Sequence, residues 1–167
     1  MGRKLFVLTA FALSILLAPS LGGAGDGALD RSTLRGIAAV HVVIDPIAAD
    51  ISSEGPTAAA LRSRMEGKLR DAGIKIDPAS TEFLGVRVTG VQGAKGRFSA
   101  KPPFAISTSL ALYQPVILAR DRNVKTATQT WEVDTIVLAD PKQVDGACLD
   151  SADELAARFI AAYRSVN

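Results

Sequence analysis

Three long segments of the sequence are predicted as β-strands with one apolar and one polar face, and they limit the fold more than any other feature. They cover residues 81–91, 104–120 and 123–140. The alternation of apolar and polar side chains in such a strand requires a cover on one face and leaves the other to water. Two further segments have the spacing of amphipathic helices. The sequence therefore predicts that these helices cover one face of a sheet.

The first predicted helix follows Thr57, whose hydroxyl can cap its amino end, and stops at Gly73, which can adopt a left-handed turn. The second is predicted to start with a capping box formed by Ser151 and Glu154. Both helices carry an apolar stripe. The stripe residues are Leu61, Met65, Leu69 and Ala72 in the first, and Leu155, Phe159, Ala162, Tyr163 and Val166 in the second. The second stripe is expected to cover the sheet, with docking of a partner as the alternative.

Two shorter segments complete the pattern. Residues 36–44 are rich in β-branched residues and apolar on both sides, which predicts a central strand. Residues 74–76 are predicted as a short strand. The predicted fold class is α+β: a two-layer sandwich with a mostly antiparallel sheet of four to five strands and two helices on one face, in the order β-α-β-β-β-β-α.

The alternation of residues over 123–140 predicts which side chains of this strand face the core. Trp131 is expected to be buried together with Val133 and Ala127, because these three residues share one side of the alternation. A bulge or bend is expected near Pro115, since proline cannot donate a hydrogen bond to a neighbouring strand. Residues 120–123 are predicted to turn between the two long strands.

The amino-terminal residues have the features of a secretory signal peptide. Arg3 and Lys4 precede an apolar run, and small residues follow it. We expect a signal peptide over 1–24, a flexible leader over 25–35 and a single α+β domain over 36–167. The apolar run is too short for a bilayer-spanning helix, so no stable membrane span is expected after cleavage.

The charge of the chain gives no support for nucleic-acid binding. The formal net charge of +2 comes from 19 basic and 17 acidic residues, and residues 1–24 hold two of the basic and none of the acidic ones. The rest of the chain therefore has a formal charge of zero. Without a basic excess, neither nucleic acid nor an anionic membrane surface is an expected partner.

Motifs for catalysis and for metal binding are absent from the sequence. His41 is the only histidine and Cys148 the only cysteine, so a histidine-based triad or a zinc site of the usual kind is not predicted. Asp45, Asp50 and Glu54 share one loop, but their spacing does not match a calcium-binding loop. We therefore expect no catalytic residue, no metal and no cofactor. Cys148 is expected in a loop, with burial, a free thiol and an intermolecular link left open.

Several short stretches resemble a group of small exported bacterial proteins of unknown function. They are "LRGI" at 34–37, "GPT" at 55–57, "LRDAGI" at 69–74, "LYQPV" at 112–116, "TW" at 130–131 and "FIAAYRSVN" at 159–167. The order of elements is also similar to the periplasmic modules of the TolB amino-terminal domain and of LpoB-type lipoproteins. The similarity to these modules implies a domain that contacts other proteins, whereas the resemblance to the exported group implies no particular activity. Unlike LpoB, this chain has no cysteine directly after the apolar run that could carry a lipid.

The functional expectation is a periplasmic or secreted accessory domain, not an enzyme, that binds another envelope protein. The alternative is a carrier of a small ligand or lipid, with a groove between the helices and the sheet; a hydrolase with unfamiliar acids is a third reading. The candidate binding face is the polar side of the sheet, to which His41 also belongs if the strands pair as predicted. Its residues are Arg87, Thr89, Tyr113, Thr128, Thr130 and Glu132.

Overall fold

The computed structural model describes residues 25–94 and 101–167. The predicted signal peptide and the middle of the glycine- and lysine-rich loop after the 81–91 strand lie outside the described residues. The elements are α1 (Ala28–Ser32), β1 (His41–Ile44), α2 (Ala49–Ser52), α3 (Ala58–Asp71), β2 (Phe83–Gln92), β3 (Phe104–Leu118), β4 (Asp121–Ala139), a 3-10 turn (Pro141–Gln143) and α4 (Val144–Arg164). No helix within the described ranges is both long and apolar enough to cross a membrane.

The strands form one four-stranded sheet in the order β1-β2-β3-β4. β1 runs parallel to β2, while the β2–β3 and β3–β4 pairs are antiparallel. The helices α3 and α4 pack on each other, α3 also contacts β1, and α4 contacts β3 and β4. The predicted α+β two-layer sandwich is confirmed, with four helices in the described residues where two were expected.

The core lies between the sheet and the helix pair α3 and α4. Its side chains come from the inward side of every strand and from the apolar stripes of both helices. Trp131 is fully buried and meets the ring of Phe159 edge to face, with 5.3 Å between the ring centroids. Leu155 and Ala162 of α4 are buried as well. The stripe of the last helix therefore covers the sheet, as its spacing predicts.

The ends of α3 follow the sequence signals. The Thr57 hydroxyl accepts a hydrogen bond from the Ala60 amide at 3.1 Å, and Gly73 has a φ of 83° just beyond the helix. An amino-terminal hydroxyl cap and a left-handed glycine are common helix boundaries because they satisfy backbone groups that the helix leaves unpaired.

The last helix begins earlier than predicted. α4 starts at Val144, so Ser151 and Glu154 lie inside it and form no capping box. Cys148 lies in the first two turns of α4 and not in a loop, and it is buried. Ser151 is buried too, and the helix continues through it because the surrounding positions, such as Val144 and Ala152, pack into the core.

The first strand was predicted to be central, but β1 forms one edge of the sheet. The segment at 74–76 contributes a single parallel bridge, from Val40 to Ile76, and no strand. Residues 36–39 are not part of β1, because Ile37 is buried under the carboxyl-terminal residues, where its carbonyl accepts a hydrogen bond from the Tyr163 hydroxyl at 3.0 Å.

Residues 25–35, suggested by their composition as a leader, instead include helix α1 and a fully buried Leu34. Asp26 ties this segment to the core. Its carboxylate accepts hydrogen bonds from Trp131 Nε1 at 2.9 Å and from Arg31 Nε at 2.7 Å. The hydrogen bond from Arg31 holds the pKa of Asp26 below its ordinary value of 3.8, burial opposes this shift, and the Trp131 bond adds to it.

Replacing Trp131 by alanine should lower the free energy of unfolding by about 3 to 5 kcal/mol, the usual range for a large aromatic removed from a core. The physical reason is the cavity left beside Phe159. Chemical denaturation of residues 25–167 measures the change. A loss below about 1 kcal/mol would contradict the burial of this side chain.

The contribution of Asp26 to stability should depend on pH. Because the folded state lowers the pKa of this carboxyl below 3.8, the stabilisation is present above that pH and is lost as the pH falls through the lowered pKa. The difference in unfolding free energy between the wild type and Asp26→Asn should therefore shrink below about pH 4. Thr126→Val, at an exposed position of β4, changes no titratable group, so it is the control and should show no such narrowing. If the wild type and Asp26→Asn differed by the same unfolding free energy from pH 7 to pH 2, the predicted contribution of Asp26 ionisation to stability would be contradicted.

Candidate functional site

One face of the sheet has no helix packed on it among the described residues, and we call it the open face. Its position follows from the burial pattern, since Val42, Leu84 and Val86 point to the helices and their sequence neighbours point away. The strand register arranges the open face in five rows across the sheet. The rows are His41, Phe83, Tyr113 and Gln129; Val43, Gly85, Ala111 and Glu132; Arg87, Ser109 and Asp134; Thr89, Ser107 and Ile136; and Val91, Ala105 and Leu138.

The first three rows enclose a shallow cavity of about 220 Å³. Gly85 forms its floor, because the ring of Tyr113 lies across this residue and a Cβ there would be 3.0 Å from Cε2 of the ring. The Tyr113 ring also stacks on Phe83, with 4.9 Å between the centroids. The lining residues are Asp45, Phe83, Gly85, Arg87, Ser109, Ala111, Tyr113, Gln129 and Glu132.

Polar groups on the wall of the cavity are joined by hydrogen bonds. The Tyr113 hydroxyl donates to Oε1 of Gln129 at 3.2 Å, and Nε2 of Gln129 donates to Oε2 of Glu132 at 2.6 Å. These two hydrogen bonds fix the position of the Tyr113 ring above Gly85. It also leaves the second carboxylate oxygen of Glu132 available to a group that enters the cavity.

An ion pair closes the opposite side of the cavity. Nε of Arg87 donates to Oδ2 of Asp45 at 2.9 Å, and this hydrogen bond is the main cause that raises the pKa of Arg87. Both side chains stay well exposed to water. Arg87 has five N–H donors in its guanidinium, so contact with Asp45 leaves donors for a second acceptor.

The structure brings together three of the six predicted face residues. Arg87, Tyr113 and Glu132 line the cavity. Thr89 lies on the open face one row beyond it. His41 also faces this side, half-buried in the row that contains Phe83 and Tyr113.

Thr128 and Thr130 do not share this face, which corrects the predicted register. Thr130 is an extra residue of β4, since Leu112 pairs with Trp131 and the next residue, Tyr113, pairs with Gln129. One extra residue exchanges the two sides of a strand beyond that point. Thr128 therefore pairs with Gln114, whose Nε2 also donates to the Thr130 hydroxyl at 2.9 Å. Ala127, expected beside Trp131, is exchanged to the opposite side for the same reason.

Sequence reasoning missed the residues that shape the cavity. Asp45 was read as part of an acidic loop, and Phe83 and Gln129 carried no chemical signal. Gly85 did carry one, because a glycine inside a strand commonly marks the close approach of another group. Here that group is the ring of Tyr113. Gly85 pairs with Ala111 on β3, and Tyr113 lies two residues further along the same strand.

Other reactive side chains lie away from the open face. Burial raises the pKa of the Cys148 thiol to about 11, which keeps this side chain protonated at neutral pH. The hydroxyls of Thr108 and Ser151 are buried, and neither has a hydrogen-bond partner within the part of the chain that the structure describes. Among residues 25–94 and 101–167, no group of three or more His, Cys, Asp or Glu side chains is placed to hold a metal ion. Two acids of the loop after β1 form ion pairs: Asp45 with Arg87, and Glu54 with Lys101.

The last row of the open face is apolar, and Ile136 of the row before it extends this apolar surface along β4. Val91 is 71% exposed, Ile136 69% and Leu138 78%. Val91 and Leu138 both pair with Ala105, so the three residues cross the sheet in one line. The open face thus consists of a polar cavity at one end and an apolar strip, defined as Val91, Ala105, Ile136 and Leu138, at the other.

No protein-family model and no curated protein sequence matches the chain. Solved structures similar to it include a PelC dodecamer from Paraburkholderia phytofirmans, with a TM-score of 0.44 and 13% identity over 81% of this chain and 92% of that one. A minor lipoprotein from Acinetobacter baumannii has a TM-score of 0.35 and 8% identity over 74% and 90%. The rare lipoprotein B from Shewanella oneidensis has a TM-score of 0.34 and 13% identity, over 75% of this chain and 98% of that one. Two of these three structures are lipoproteins by name.

Replacing Gly85 by valine should displace the Tyr113 ring from Phe83 and open the cavity wall, because the added side chain needs the space that the ring fills. We expect a loss of about 1 to 3 kcal/mol in unfolding free energy, as for other overpacked sites. The aromatic NMR signals of Tyr113 should move towards those of an exposed tyrosine. Gly67→Ala, in α3 with open space around it, is the control and should be neutral or stabilising. Unchanged Tyr113 signals in Gly85→Val would contradict the described floor.

Proposed function

We propose that the chain is an exported accessory domain of the cell envelope, which acts without catalysis by binding another envelope protein through its open face. The observation that carries this proposal is the apolar strip. Val91, Ile136 and Leu138 are each more than two-thirds exposed, and Ala105 joins Val91 to Leu138 across the sheet, on a face that no helix of the described residues covers. Contiguous apolar surface on a folded domain commonly marks an interaction site.

The polar end of the open face supports the same function. Arg87, Asp45 and Glu132 place charges of both signs around the cavity, within two rows of the strip. A protein interface typically combines an apolar centre with a polar rim that fixes orientation. Export is supported by the signal-peptide features of residues 1–24, and a periplasmic or secreted location follows from that expectation.

The second candidate is a carrier of a small ligand, and the cavity beside Tyr113 is the observation that favours it. Its volume of about 220 Å³ is below the roughly 300 to 1,000 Å³ of typical ligand pockets. It also lies on the open face and not in the expected groove between helices and sheet, where buried side chains from both layers pack together. A cavity of this size suits one side chain of a protein partner better than a whole lipid.

Site-specific photo-cross-linking in the native host tests the proposed function. A benzophenone amino acid placed at position Val91 should form a covalent adduct with an envelope protein, since this side chain is 71% exposed on the open face. The matched control places the same group at Leu29, which is 82% exposed on α1. The yield of the adduct should also fall when Arg87→Glu reverses a charge at the rim of the cavity. Equal labelling from both positions, or none from Val91, would contradict the proposal.

A further inference from the structure

Strand β4 ends the sheet, so one of its sides has no neighbouring strand among the described residues. Two contacts identify the backbone groups on that side. The Glu132 amide donates to the Gly25 carbonyl at 3.3 Å, and Nη1 of Arg158 donates to the Asp134 carbonyl at 2.9 Å. Pairing with β3 is regular from Trp131 to Ala139, so the outward groups continue on alternate residues. Ile136 and Leu138 therefore present their N–H and C=O groups to the outside.

These outward groups have no hydrogen-bond partner in the described parts of the chain. The side chains of the same two residues form half of the apolar strip. Exposed strand edges are usually protected by lysine, proline, a bulge or a covering segment. Residues 135–139 are "TIVLA", with no charge and no proline, and the pairing there has no bulge. Gly25 and Arg158 protect the edge only as far as Asp134.

We propose that an extended segment of the envelope partner adds to the sheet as a fifth strand, antiparallel to residues 135–140 of β4. This inference rests on the proposed function and specifies how the partner binds. Backbone hydrogen bonds to Ile136 and Leu138 supply one part of the contact, and apolar side chains at alternate positions of the partner pack on the strip. Addition of a strand to a free sheet edge is a common mode of peptide recognition.

In the register that pairs Ile136 with Leu138, charge disfavours a second copy of this chain as the added strand. Asp134 and Asp140 are both exposed and bracket the apolar segment. If two copies of β4 paired so that Ile136 faced Leu138, Asp134 of each copy would face Asp140 of the other. Like charges directly opposite each other destabilise a strand pair. The edge therefore fits a partner segment whose apolar residues are flanked by lysine or arginine.

The probe for the test is the peptide acetyl-Lys-Thr-Val-Thr-Val-Thr-Lys-amide. In the proposed register its valines lie opposite Ile136 and Leu138, and its lysines lie opposite Asp134 and Asp140. With residues 25–167 as the protein, the peptide should slow amide hydrogen exchange at Ile136 and Leu138 about tenfold or more. A peptide with glutamates in place of both lysines should bind more weakly. Methylation of the valine nitrogens should abolish binding, whereas methylation of the threonine nitrogens should not.

Protein variants give the matched control. Leu138→Lys should raise the peptide Kd about tenfold or more, and Ile117→Lys, at another exposed apolar position of the β3–β4 hairpin, should change it less than about twofold. Equal binding of the valine-methylated peptide, or protection of amides elsewhere, would overturn the proposal. So would a dimer of the unliganded protein that Leu138→Lys dissociates, because the edge would then bind a second copy.

The outcome is separable from that of the proposed function. If Val91 forms its cross-link in the host and Leu138→Lys does not reduce it, the open face binds a partner but β4 does not receive a strand. If Val91 forms no cross-link, the proposed function itself fails, whatever the peptide does.

Discussion

Burial of one sheet face under α3 and α4 is the interaction on which the rest of the structure depends. With no internal disulfide available to the single cysteine, packing has to hold the fold. Each large apolar side chain buried there, such as Trp131, Phe159 or Leu69, contributes about 1.5 to 3 kcal/mol. Both helices lie on the same side, so the opposite face remains available for binding.

The bulge at Thr130 is the second constraint, because it decides which β4 side chains belong to which face. After the bulge in the sequence, Trp131 faces the core, and before it Gln129 lies beside Tyr113 on the open face. The bulge also directs the Thr130 hydroxyl to Gln114, whose amide reaches the Thr33 carbonyl beside α1. One extra residue thus places Gln129 in the cavity wall and Gln114 in contact with the amino-terminal segment.

About a third of the residues that line the cavity were predictable. Arg87, Tyr113 and Glu132 were assigned to one face because each lies in a regular stretch of strand, where a period of two holds. Asp45 was assigned to no face, since it follows β1 and reaches Arg87 only through the parallel β1–β2 pairing. A parallel pair is joined by a helix and not by a turn, so its register cannot be counted along the chain.

The sequence by itself determined the fold class, the extent of α3 and the burial of Trp131, because periodicity and capping residues act locally. Tertiary structure decided what depends on neighbours. It placed β1 at an edge, extended α4 back to Val144, and tied Asp26 to Trp131 across the sequence. These features arise from contacts between distant residues, whose energies outweigh local propensity and leave no periodic trace in the chain.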